Sequence, residues 1–167
     1  MLVSVSNSPD RRFTPFIKRA VNFYGEILIP SVKLRNSVEI QIKFVKNLDV
    51  LGSAGIIGFN SRNKAREFSI ELHAEIPAKK MFETLAHEMV HIKQYVYGEL
   101  NDDMSKWQGK RVNSEKIDYW FQPWEIEAHG LESGLLNKFT IHEKLWEVFK
   151  GIENPDSPIK CQPLGWK

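Results

Sequence analysis

Cysteine and long apolar runs are nearly absent from this sequence. Cys161 is the only cysteine among 167 residues, which excludes a disulfide bond within the chain and a zinc site built from several cysteines. No stretch approaches the roughly 20 apolar residues of a membrane-spanning helix, and residues 1–12 lack the apolar segment of a signal peptide. A lone thiol agrees with a reducing compartment. We therefore expect a cytoplasmic protein with no membrane partner.

A strong charge of one sign is also missing. The chain carries 23 Lys and Arg against 21 Asp and Glu, a net charge of +2, with acids and bases interleaved. Because proteins that bind polyanions concentrate positive charge, nucleic acid is not an expected partner. The hydrophobic fraction of 42% is sufficient for one sizeable core. We predict a single domain over residues 1–167, with irregular tails at 1–12 and 154–167.

The most informative motif lies at residues 87–91, which read His-Glu-Met-Val-His and match the pattern H-E-x-x-H. On an α-helix, side chains four positions apart lie one above the other, so His87 and His91 can bind the same ion. Such a pair of imidazoles predicts zinc, and Glu88 between them is placed to act as a general base. The motif has this meaning only if the segment is helical.

Residues 77–97 have the features of a helix. Pro77 suits a first helical turn, and Gly98 stands where a C-terminal cap is expected. Apolar residues between them recur at helical spacing and predict one buried stripe. These residues are Phe82, Leu85, Ala86, Met89, Ile92 and Val96. We expect the stripe to pack on a sheet, and the histidines to face a different part of the chain.

The segments before the motif predict one helix and about three strands. Apolar residues at helical spacing indicate a helix over 13–29, which stops at Pro30. Alternating apolar and polar residues predict strands at 38–44 and 68–76, and a short apolar run predicts another at 56–60.

The segments after the motif predict a loop followed by helices. Turn-forming residues follow Gly98 up to about residue 118, and this loop is expected to border a cleft. A second helix opens within 119–132, and another is expected over 141–149. The whole pattern predicts an α+β domain with an N-terminal helix, a small mainly antiparallel sheet, the motif helix and a helical C-terminal half.

A catalytic zinc ion usually has three protein ligands and a water molecule, so two histidines are not sufficient. The third ligand is expected on a second helix, and the segment after Pro123 supplies two acidic candidates, Glu125 and Glu127. Residues two positions apart on a helix point in different directions, so only one of the two can face the metal.

The combination of H-E-x-x-H with the downstream segment Glu-Ile-Glu-Ala-His at 125–129 resembles the gluzincin branch of the zincin metallopeptidases. Over residues 77–135 the chain is similar to small zincin-like proteins of bacteria and their phages. The resemblance implies a zincin-like fold and one zinc ion bound by His87, His91 and Glu125. It also implies a location in a bacterial or phage-infected cell. His129 stands where these proteins often have an acidic residue that supports a ligating histidine.

The resemblance implies a zinc-dependent metalloendopeptidase. Glu88 would take a proton from the zinc-bound water and deliver it to the leaving amine. Tyr119 and Tyr95 are candidate donors to the oxyanion. In zincins, an edge strand ahead of the motif helix commonly receives the peptide substrate, and the strand from Phe68 to Ile76 occupies that place in the sequence.

Three other functions remain open. The chain could bind metal for regulation or interaction without turnover, and the presence of Glu88 argues against this because metal binding needs only the ligands. It could act like SprT-like zincins on nucleic-acid-bound proteins, which the small net charge disfavours. The same ion and base could also hydrolyse a carbonyl substrate other than a peptide.

Overall fold

A computed structural model describes residues 1–145 of the chain. In this range the α-helices fall where the apolar periodicity predicts them, with one additional short helix. They are α1 (Thr14–Leu28), α2 (Val32–Arg35), α3 (Ala78–Tyr97) and α4 (Pro123–Glu143). The motif helix α3 begins after Pro77 and ends at Gly98, whose backbone adopts the left-handed conformation with φ of 70°. Both ends of α3 therefore agree with the prediction.

The described residues also contain a four-stranded sheet. Its strands are β1 (Leu2–Ser6), β2 (Glu39–Val45), β3 (Gly52–Phe59) and β4 (Ala65–His73), in the order β1-β2-β4-β3. Along β2, Ile40, Ile42 and Phe44 are buried whereas Gln41 and Lys43 are exposed, as the alternating sequence predicts. The α+β class is confirmed.

The prediction of a mainly antiparallel sheet of about three strands was wrong. β1 runs parallel to β2, and β2 runs parallel to β4, so that only the β3–β4 pairing is antiparallel. β1 and β2 are parallel because the helix between them returns the chain to the same end of the sheet. β1 lies within residues 1–12, which were predicted to be irregular, and it pairs with β2 from Leu2 to Ser6. The predicted tail at 154–167 lies outside the described residues, as does Cys161.

The predicted position of the substrate strand was also wrong. β4 covers Ala65–His73 and lies between β2 and β3, so both of its edges are already hydrogen-bonded. An additional strand cannot pair with it. The edge strand on this side of the sheet is β3, which contacts α3 and begins at Gly52 rather than near residue 56.

The core lies between the sheet, α1 and one side of α3. Every residue of the predicted apolar stripe on α3 is buried. Within this core, the ring of Phe82 lies 5.6 Å from that of Phe139 on α4, and the Tyr24 hydroxyl on α1 donates to the Phe82 carbonyl. α4 packs along another side of α3. The apolar stripe thus fixes α3 against the sheet. The motif residues of α3, His87 and His91, face α4.

The segment that follows α3 contains a small hairpin, β5 (Lys106–Trp107) and β6 (Lys110–Arg111). The loop before it borders a cavity through Leu100 and Met104, as predicted. Of the helix predicted over 141–149, residues 141–143 are the end of α4, and residues 146–149 lie outside the described part of the chain. Within residues 1–145, no helix is both long and apolar enough to cross a membrane.

Candidate metal centre

The structure brings His87 and His91 of α3 together with Glu125 from the first turn of α4. The two Nε2 atoms of the histidines lie 3.1 Å apart. Glu125 Oε2 is 3.2 Å from His87 Nε2, and Glu125 Oε1 is 3.4 Å from His91 Nε2. All three side chains are buried. Two helices therefore place two nitrogen ligands and one carboxylate around the same point.

These separations suit the ligands of a single metal ion. Tetrahedral zinc with bonds of roughly 2.0–2.1 Å requires neighbouring ligand atoms about 3.3 Å apart. Glu125 Oε2 is buried and, among the described residues, makes no contact with hydrogen-bond geometry. A buried carboxylate oxygen without such a partner is costly unless something else satisfies it. The group could hold a metal ion, and the donor set of two imidazoles and a carboxylate is one that zinc accepts.

The Nδ1 atom of each imidazole has a different hydrogen-bond acceptor. His87 Nδ1 lies 2.7 Å from Glu132 Oε2, and His91 Nδ1 lies 2.9 Å from Gln94 Oε1. The Gln94 amide nitrogen donates to the Trp124 carbonyl, so its oxygen must be the atom that faces His91. Because both Nδ1 atoms donate their protons to these acceptors, both Nε2 lone pairs point towards the metal site.

Glu127 faces away from the histidines. Its carboxylate accepts from Lys93 Nζ at 2.7 Å and from the Gln94 amide at 2.9 Å. Lys93 also pairs with Glu99 at 2.8 Å. Of the two acidic candidates on α4, the structure therefore brings only Glu125 to the metal site.

Glu132 and Gln94 are functional candidates that were not predicted from the sequence. Glu132 follows Glu125 by seven positions, which is two helical turns, so it lies on the same face of α4. Gln94 follows His91 by three positions, one turn along α3. These spacings were readable in the sequence. His129, which the resemblance placed behind a histidine, has its ring 4.5 Å from that of His87 between centroids, and its Nδ1 lies 3.3 Å from the Glu132 carboxylate.

Glu88 is buried next to the two histidines and lines the same cavity. Burial raises the pKa of its carboxyl to about 7, and this effect outweighs the opposing attraction of His91 and His87. Gly52 of β3 allows the close approach, because a Cβ atom there would lie 2.6 Å from the Thr84 methyl group and 3.1 Å from Glu88 Oε1. Glu88 is therefore a group that can exchange a proton near neutral pH.

The electrostatics of the site favour a cation. Burial acts to lower the pKa of His87 and His91, but the carboxylates of Glu125 and Glu88 outweigh it and both pKa values are raised. Burial acts to raise the pKa of Glu125, but its close contacts with His87 and His91 hold it well below its usual range. Because the raised pKa values favour the protonated imidazoles, protons and a metal ion compete for the same two Nε2 atoms.

Both candidate tyrosines line the cavity. The pKa of Tyr119 is raised, first by burial and then by a hydrogen bond with Glu125. Burial raises the pKa of Tyr95 to about 12, and its ring stacks on Phe68 at 6.3 Å between centroids. Tyr119 thus interacts with a member of the metal site, whereas Tyr95 packs against the sheet. Their roles as oxyanion donors stay predictions.

No family model matches this chain, and no match is found among the curated proteins or the solved structures.

Proposed function

We propose that the protein is a zinc-dependent metalloendopeptidase. The observation that carries the proposal is the position of Glu88, which is buried beside His87, His91 and Glu125 and lines their cavity. Metal binding requires only the three ligands, and burying a further carboxylate costs free energy. A carboxyl group beyond the three ligands, with a pKa of about 7, is explained by a role in proton transfer.

In the proposed reaction, zinc bound at the site supplies Lewis acidity, which polarises a carbonyl group and lowers the pKa of water. Glu88 accepts the proton that water loses on attack, and then donates it to the leaving amine. Tyr119, beside Glu125, is the candidate donor to the oxygen on which negative charge develops. Glu132 and Gln94 hold the two imidazoles in the orientation that leaves Nε2 free.

The edge strand β3 is the proposed support for the substrate backbone. Gly52, Ser53 and Ala54 line the cavity, and within residues 1–145 β3 has a strand on only one side. Its other edge presents backbone groups that can pair with an extended peptide. β3 therefore takes the role that the sequence assigned to the strand from Phe68 to Ile76, because both edges of β4 are already paired with other strands.

The proposal is tested with two variants, Glu88→Gln and His91→Ala, loaded with zinc and assayed on an unfolded protein substrate. Glu88→Gln should retain zinc and lose roughly 100- to 10,000-fold in cleavage rate, because only the proton acceptor is removed. His91→Ala should lose both zinc and cleavage. Cleavage by Glu88→Gln at the wild-type rate would refute the role of Glu88. A wild-type protein that binds zinc but cleaves no peptide would favour metal binding without turnover.

A further inference from the structure

The cavity beside the metal centre is apolar away from the metal ligands. It has a volume of about 570 Å³. Among the described residues, its carboxylates belong to Glu88 and Glu125, which lie beside His87 and His91, and to Glu132, which lies against His87 and His129. The lining also includes Lys80, whose ammonium group is paired with Glu83 at 2.9 Å. Beyond these groups it consists largely of aliphatic and aromatic side chains. They include Val50, Leu51, Tyr95, Leu100, Met104 and Trp124. A charged substrate side chain placed among them would lose its hydration without gaining a partner.

Exposed apolar side chains surround the mouth of this cavity. Val50 and Leu51, just before β3, are 53% and 44% exposed, and Trp120, just before α4, is 64% exposed. All three line the cavity. Apolar side chains scattered singly on a surface need no explanation, but a group of them around one cavity indicates a binding surface.

The apolar mouth is continuous with the edge of the sheet. Gly52, Ser53 and Ala54 follow directly after Val50 and Leu51, and they also line the cavity. Their side chains are small, so the backbone of another chain can approach β3 closely. An extended peptide paired with β3 would therefore run past both the metal centre and the apolar lining.

We propose that the site selects extended peptide segments that carry a large apolar side chain near the bond to be cleaved. The natural substrates are then flexible or unfolded segments that a folded protein would bury. This inference rests on the proposed function, because it names the substrates of the same site. The peptide is recognised by burial of its apolar side chain in the cavity, and charge on the peptide makes no contribution.

Two neighbouring aromatic residues provide a matched test. Trp120 lines the cavity, and its ring stacks on that of His129 with 4.8 Å between centroids. Phe121 is 72% exposed and, among the described residues, is not part of the cavity lining. The two side chains are similar in character and adjacent in sequence. Only Trp120 should therefore contribute to peptide binding.

The experiment measures peptide binding by the zinc-loaded Glu88→Gln protein, so that binding is observed without turnover. Two fluorescent peptides are compared by anisotropy, identical except for a leucine or a glutamate at the centre. The leucine peptide should bind at least about tenfold more tightly, and Trp120→Ala should weaken it by about tenfold. Phe121→Ala should change its affinity by less than about twofold.

Because Trp120 touches His129, the zinc affinity of Trp120→Ala is measured as well and should be unchanged. Leu51→Ser repeats the test at a residue on a different segment, and should also weaken the leucine peptide. Equal binding of the two peptides, or equal effects of Trp120→Ala and Phe121→Ala, would overturn the inference. If the leucine peptide binds selectively but the wild-type protein does not cleave it, the peptidase proposal fails while the recognition of apolar segments stands.

Discussion

The two sides of α3 bury different kinds of side chain. On one side, Phe82 and Met89 are buried among apolar residues of the core, where burial stabilises the fold. On the other side, His87, Glu88 and His91 are equally buried but ionisable, and burial raises the pKa of Glu88, so that its charged form is disfavoured. The apolar side therefore holds the helix in place, whereas the polar side carries the candidate metal ligands and a carboxyl group whose charged form is disfavoured by burial.

The largest effect is expected on the apolar side. Phe82→Ala should lower the free energy of unfolding by about 3–5 kcal/mol, because it leaves a cavity where the ring packs at 6.4 Å from Phe13 and 5.6 Å from Phe139. Denaturant titration in the presence of a chelator measures this change. A loss below about 1 kcal/mol would contradict the assignment of the core to this side of α3.

The next largest effect is expected from Glu132, which accepts a hydrogen bond from His87 Nδ1. Glu132→Gln should weaken zinc binding by about 10- to 100-fold, because the amide accepts a hydrogen bond from His87 less strongly than the carboxylate does. Competition with a zinc indicator measures the affinity. Glu143→Gln is the control on the same helix, since Glu143 pairs with Arg19 away from the site. Equal affinities of the two variants would show that Glu132 does not position His87.

A smaller effect is expected from the charge of Glu88. Its pKa is about 7 in the folded protein against the ordinary value of 4.5. Both states are protonated well below pH 4.5, so Glu88 then has no effect on stability. As the pH rises towards 7, the unfolded chain ionises first and the folded state loses stability. Glu88→Gln should therefore stabilise the metal-free protein by on the order of 2 kcal/mol at pH 8 and by almost nothing at pH 4.

Thermal unfolding at the two pH values, in the presence of a chelator, measures this difference. A stabilisation that is the same at both values would show that Glu88 does not ionise on unfolding. Destabilisation at pH 8 would show that its negative charge is favoured by the folded state, contrary to the comparison between the two sides of α3.

The sequence predicts α3 and the start of α4 well because their signals are local. The apolar stripe, Pro77 and Gly98 all act within one segment of chain. β1 could not be predicted in the same way, because it is five residues long and depends on pairing with β2, whose residues lie 37 positions further along. The position of β4 inside the sheet is likewise a property of the topology, which the alternation of side chains does not encode.

The metal site shows the same division between local and tertiary information. The motif alone places His87 next to His91, and helical spacing shows that Glu125 and Glu127 point in different directions. Which of these two acids faces the histidines depends on how α4 packs on α3, and this is known only in the folded chain. The role of Glu132 could have been anticipated from its seven-residue spacing to Glu125, but only once Glu125 was known to face the site.

The proposed function depends on one assignment, that a single metal ion is bound by His87, His91 and Glu125. Its most direct test is a calorimetric zinc titration of the metal-free wild-type protein, Glu125→Gln and Glu127→Gln. We predict one zinc ion per chain for the wild type and for Glu127→Gln, with similar affinities. Loss of a group that only orients a ligand weakens metal binding by up to roughly 100-fold. Glu125→Gln changes a ligand itself, so its zinc affinity should fall by more than this. Equal affinities of Glu125→Gln and the wild type, or an equal loss in Glu127→Gln, would contradict the account.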